Sequence, residues 1–90
     1  MKYKLTNLSK NTNRRITKKQ VQAIRTGDLV KVNITDKNGD NGESIWIQVY
    51  GKVKGVYIGL VDSYPLGDFN LQYQSKIRFR PCNIVDIYGK

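Results

Sequence analysis

Ninety residues leave room for one hydrophobic core and no second domain. Histidine is absent and Cys82 is the only cysteine, which removes His-based acid–base catalysis, Ser-His and Cys-His nucleophile pairs, an internal disulfide and nearly every zinc site. The net charge of +9 is lopsided: residues 1–26 carry eight basic side chains and no acid, whereas residues 27–90 carry eight basic and seven acidic ones.

The opening MKYKLTNLSK lacks the apolar stretch of a secretory leader, and no run approaches the roughly 18 apolar residues of a membrane span, so a cytoplasmic, non-membrane protein is expected. Lys2 to Leu8 reads as a short strand or an ordered arm, with Tyr3, Leu5 and Leu8 as its apolar anchors. Asn11 to Arg15 reads as loop. Residues 1–15 thus form a basic N-terminal arm, and residues 16–90 one small domain. Ile16 to Thr26 has the marks of a short helix: Thr17 as cap, Val21 and Ile24 on one face, and Gly27 as the stop. Two turns of helix do not hold in water alone, so this one must dock through Val21 and Ile24.

From Asp28 the period changes to two. LVKVNIT puts Val30, Val32 and Ile34 on one face, and SIWIQVY does the same with Ile45, Ile47 and Val49. GVYIGLV groups Val56, Ile58 and Leu60, with Tyr57 and Val61 opposite. Gly51 to Gly55 has the length and glycines of a hairpin loop. KIRFR turns Ile77 and Phe79 inward and Lys76, Arg78 and Arg80 outward, and NIVDIY closes with Ile84, Val85 and Ile87. The expected fold is α+β and mostly β: a small five-stranded antiparallel, SH3-like, partly open barrel with one short N-terminal helix. A flat meander with the helix across one face is the alternative. In either, Val30, Val32, Ile47, Val49, Ile58, Leu60, Ile77 and Phe79 form the core.

Laid out this way, ESIWIQV, GVYIGLVDSYP and KIRFRPCNIVDIY resemble the YegJ-like family of small bacterial proteins. The matching positions are Trp46, Gly59, Leu60, Asp62, Pro65, Ile84, Asp86 and Ile87, within residues 28–88. Ser63-Tyr64 and Ser75-Lys76 depart from the family's pattern, and the basic first 26 residues have no counterpart in it. The resemblance implies the β fold and says little about function.

Several constellations invite chemistry. Asp36, Asn38 and Asp40 supply the first three ligands of a calcium loop, but position 6 is Asn41 and position 12 is Ile47, so the bidentate Glu is missing and a hairpin turn accounts for the stretch. Asp62 and Asp68, with Glu43 as a third carboxylate, lack any nucleophile beside them. Cys82 has Arg80 near it in sequence but no base, and reads as a small buried hydrophobe. No cofactor, metal or catalytic residue is expected. On the sheet's outward face, Trp46, Tyr50 and Tyr57 stand among Lys31, Lys76, Arg78 and Arg80, the composition of a single-strand-binding platform; equally, Trp46 could be the seat on which the helix docks.

The charge asymmetry points to an anionic partner. The leading expectation is a non-enzymatic binding module for nucleic acid or an acidic protein surface, contacting it through Arg14, Arg15, Lys18, Lys19, Arg25, Arg78 and Arg80. The alternative is a protein-binding accessory or inhibitor, of the immunity or phage anti-defence type, reaching its target through Tyr64, Leu66, Phe69 and Tyr73 in the 63–75 loop.

Overall fold

Alternation of apolar and polar residues builds most of the sheet. In the computed structural model, residues 3–7, 16–65, 67, 69 and 71–89 are described. Six strands are seen among them: β1 (Lys4–Leu5), β2 (Leu29–Thr35), β3 (Glu43–Val53), β4 (Val56–Val61), β5 (Lys76–Phe79) and β6 (Ile84–Ile87). One short helix, α1 (Lys18–Gln22), precedes β2, and a 3₁₀ turn (Pro81–Asn83) separates β5 from β6. All pairings are antiparallel in the order β1-β2-β3-β4-β5, and β6 returns to pair with β2. β1 and β6 share the edge of β2 opposite β3, β1 at Ile34–Thr35 and β6 at Val30–Val32. The result is an antiparallel sheet curled into a half-barrel. No described helix is long and apolar enough to cross a membrane.

The inner face holds Val30, Val32, Ile34, Ile45, Ile47 and Ile77, all buried; each such side chain contributes about 1.5–3 kcal/mol relative to exposure. β6 delivers two inward residues three apart, Ile84 and Ile87, because a register shift opposite Lys31 and Val32 leaves Val85 unpaired. A strict period of two would have sent one of them outward.

β4 reverses the expected facing. Tyr57 and Val61 are buried, while Ile58 and Leu60 lie on the outer face and are only half-buried. Both faces of GVYIGLV are apolar, so composition does not choose between them; register does. The hairpin turn is only Lys54–Gly55, both at positive φ (51° and 82°), as a two-residue connection requires. The strands therefore run through Lys52 and Val53, which had been expected in the loop. Past Lys52↔Tyr57 and Gly51↔Ile58, a bulge at Tyr50 resets the pairing to Val49↔Gly59 and Ile47↔Val61. Tyr57 then stacks on Phe79 with ring centroids 5.4 Å apart, and its hydroxyl donates to the carbonyl of Val21 at 3.3 Å.

That hydrogen bond also explains the helix. Thr17 caps α1 as expected: its Oγ1 accepts from the Gln20 N–H at 3.1 Å, and its own N–H donates to Gln20 Oε1 at 2.8 Å. The helix stops at Ala23 rather than continuing to Thr26. The Val21 carbonyl accepts from the Ile24 N–H and the Tyr57 hydroxyl, and the Arg25 N–H is taken by the Asp28 carboxylate at 2.8 Å. Gly27, with φ +97°, belongs to the turn into β2, where its N–H donates to the Val49 carbonyl. Ile16 and Val21 join the core and Ile24 packs against it, so the helix docks on the inner face.

Candidate functional site

β5 sets the site. KIRF buries Ile77 and Phe79 and leaves Lys76 and Arg78 exposed; Arg80 follows, also exposed, before Pro81 opens the 3₁₀ turn. Among the described residues β5 pairs on one side only, with β4. Across its other edge lies β1, and between the two runs a cleft of about 880 Å³ lined by Tyr3, Lys4, Leu5, Val56, Lys76, Arg78, Arg80 and Cys82, among others. Among the described residues no carboxylate lines it. Four cations thus face one concavity whose apolar floor comes from Tyr3, Leu5, Val56, Ile77 and Phe79. Partial burial pushes the Tyr3 phenol up from its ordinary pKa.

The far end of the cleft is held by Asn83, the one buried polar side chain among the described residues. Its Oδ1 accepts from the Arg80 N–H at 2.8 Å, and its Nδ2 donates to the Thr6 carbonyl at 3.0 Å. This side chain ties the C-terminal turn to the N-terminal strand. The Thr6 N–H donates to the Asn33 carbonyl at 3.0 Å, completing the anchorage of β1.

The residues singled out from sequence are dispersed. Arg78 and Arg80 meet Lys76 and Lys4 at the cleft, whereas Lys18, Lys19 and Arg25 are exposed on α1 and the turn after it, away from the cleft lining. Arg14 and Arg15 lie outside the described residues. Residues 3–7, counted with the arm, include the strand β1, and Tyr3 and Leu5 pack against the core. Lys4 was missed as a site residue because its partners lie more than 70 positions away; its one local signal is the alternation of Tyr3, Lys4 and Leu5.

The outward platform is smaller than expected. Tyr57 leaves it, being 3% exposed in the core. Trp46 is half-buried on the outer face and is not the seat of the helix: the Lys31 Nζ sits 5.1 Å from its ring centre, and Tyr88 meets it edge-on at 5.9 Å. Tyr50, on the bulge, is 63% exposed.

In the 63–75 loop, Tyr64 is 77% exposed and stacks on exposed Tyr73, with centroids 5.0 Å apart. Phe69 is 2% exposed, so it is a core residue that no partner reaches; this corrects its expected surface role. Leu66 and Asp68 lie outside the described residues. Glu43 accepts the Gly67 N–H at 2.9 Å.

Asp36 works as a turn residue. Its Oδ1 accepts from the Asp40 and Asn38 N–H groups at 2.9 and 3.0 Å, and its Oδ2 from Asn41 Nδ2 at 3.0 Å. These bonds, the one from Asp40 foremost, hold its carboxyl below the usual carboxylate range. Cys82 is half-buried on the cleft wall. Compared with protein-family models, curated proteins and solved structures, the chain matches none.

Proposed function

We propose that this chain is a small non-enzymatic binding module that holds an anionic polymer, nucleic acid first, in the cleft between β1 and β5. The observation that carries the reading is the cleft's lining: Lys4, Lys76, Arg78 and Arg80, with no carboxylate among the described residues. Cations around a concavity without counter-charges repel one another, and an anion relieves that repulsion. Lys18, Lys19 and Arg25, exposed away from the cleft, add basic surface that favours an anionic partner at long range. The lack of histidine and the use of Asp36 and Glu43 as backbone acceptors support a binding role over catalysis. The strand order, with a 3₁₀ turn before a last strand that returns to β2, supports a partly open SH3-like barrel.

The test is the joint change of Lys4, Lys76, Arg78 and Arg80 to Gln. All four are exposed, so the fold should be retained. Affinity for a generic oligonucleotide at low salt should fall at least tenfold. The slope of log affinity against log salt should shrink by about three, at roughly 0.7–0.9 per lost contact. Wild-type protein that binds no oligonucleotide near about 50 mM salt ends the nucleic-acid reading.

The exposed Tyr64–Tyr73 stack favours a second reading, in which the chain is a protein-binding accessory acting through this loop. Exposed aromatic surface of this kind is typical of interface anchors. Changing both tyrosines to Ala should leave oligonucleotide affinity within about twofold while abolishing capture of a protein partner. A tenfold loss of oligonucleotide affinity in this variant would instead assign the stack to the nucleic-acid contact.

A further inference from the structure

The cleft's shape narrows the class of polymer. We infer that it takes a single strand, with phosphates on the cationic rim and bases against the apolar floor. This inference rests on the reading of the cleft as an anion site.

Three observations carry it. First, Lys76, Arg78 and Arg80 recur every second residue along an extended backbone, about 6.8 Å per step. That is a row of charges suited to a linear polyanion, and Lys4 faces it from β1. Second, the edge of β5 offers backbone donors. The Val61 N–H donates to the Ser75 carbonyl at 2.9 Å. Ladder alternation then directs the backbone of Ile77 and Phe79 to β4, and that of Lys76 and Arg78 into the cleft. No described strand takes these groups up, so phosphate oxygens and base edges have amides and carbonyls to meet. Third, the half-exposed Tyr3, Leu5 and Val56 leave apolar surface between the cations. A duplex is a convex rod with its bases stacked inside; it would meet the rim and leave that floor uncovered. Duplex readers place a helix or a two-stranded ribbon in a groove, and α1, with five residues, is too short to fill one. A single strand has splayed bases to lay on the floor, and Tyr3 supplies a ring on which one stacks.

The experiment uses the full chain with an oligothymidylate, a blunt duplex of equal length and an oligoglutamate, all at one salt concentration. The oligothymidylate should bind at least tenfold more tightly than the duplex. Cys82, the sole cysteine and a cleft-wall residue, reports occupancy: saturating oligothymidylate should slow its alkylation by a neutral reagent severalfold. Tyr3→Ala should weaken oligothymidylate binding about tenfold without changing the salt slope, and Tyr3→Phe should restore it. Duplex binding as tight as single-strand binding overturns the inference and leaves the anion-binding reading standing, whereas unchanged Cys82 alkylation in the bound state puts the polymer outside the cleft and overturns both. Tighter binding of oligoglutamate overturns it in favour of an acidic polypeptide. Failure to bind any of the three removes the underlying reading as well.

Discussion

Gly59→Ala is expected to cost about 3 kcal/mol of stability, and Gly59→Val to abolish the cooperative unfolding transition. Gly59 is buried in the middle of β4, opposite Val49 on one side and Ile77 on the other. A Cβ built there stands 2.4 Å from Ile47 Cγ2 and 2.7 Å from the Gln48 carbonyl oxygen. Neither neighbour yields easily. Ile47 is fully buried, and Gln48 is paired with Leu29 and Leu60 on its two sides. Overpacking costs typically about 1–3 kcal/mol, with backbone collisions at the upper end. A domain of this size has roughly 5–13 kcal/mol in all, so one methyl group spends a large share of it. Gly51 is the control, since a Cβ there meets nothing within 4 Å and its φ is not positive. Gly51→Ala should shift stability by less than about 1 kcal/mol. Urea denaturation of both variants decides the matter, and a Gly59→Ala midpoint equal to that of wild type would sink the packing argument.

Gly59 also marks where the sequence stops being legible. KIRF carries apolar residues on one face only, LVKVNIT does so except for Leu29 at its start, and their facings are as read. GVYIGLV is apolar on both, so its inner face is chosen by a bulge at Tyr50 and a two-residue turn at Lys54–Gly55, neither of which alternation announces. With Tyr57 and Val61 inward, the residue between them sits against Ile47 and has to be glycine. The helix end misleads in a similar way, because Gly27 resembles a stop signal while the side chain of Asp28 ends the helix earlier. The cationic cleft was legible only in half. Arg78 and Arg80 advertise themselves by alternating with Ile77 and Phe79, but their opposite wall comes from residues 3–7, joined through a single asparagine that no local pattern singles out.

That asparagine is the second large lever. Asn83→Ala should cost about 1–3 kcal/mol, because it leaves the part-buried Arg80 N–H and Thr6 carbonyl without their partner. The effect should be local before it is global. β1 has only two residues in the sheet, and without the Asn83 bond it keeps its short pairing with β2 and the packing of Tyr3 and Leu5. The Thr6 amide, bonded to Asn33, should therefore lose hydrogen-exchange protection while amides in β3 and β4 keep theirs. Asn83→Asp separates the two bonds: its carboxylate still accepts from Arg80 but has no donor for Thr6, so β1 should loosen while the 3₁₀ turn persists. Binding should follow β1 and not the charge count. Asn83→Ala removes no cation, yet by freeing the wall that carries Tyr3 and Lys4 it should weaken oligonucleotide binding about as much as Lys4→Gln and Tyr3→Ala combined. Unchanged Thr6 protection in Asn83→Ala, with stability within about 0.5 kcal/mol of wild type, would mean that β1 is held by its ladder and apolar contacts alone.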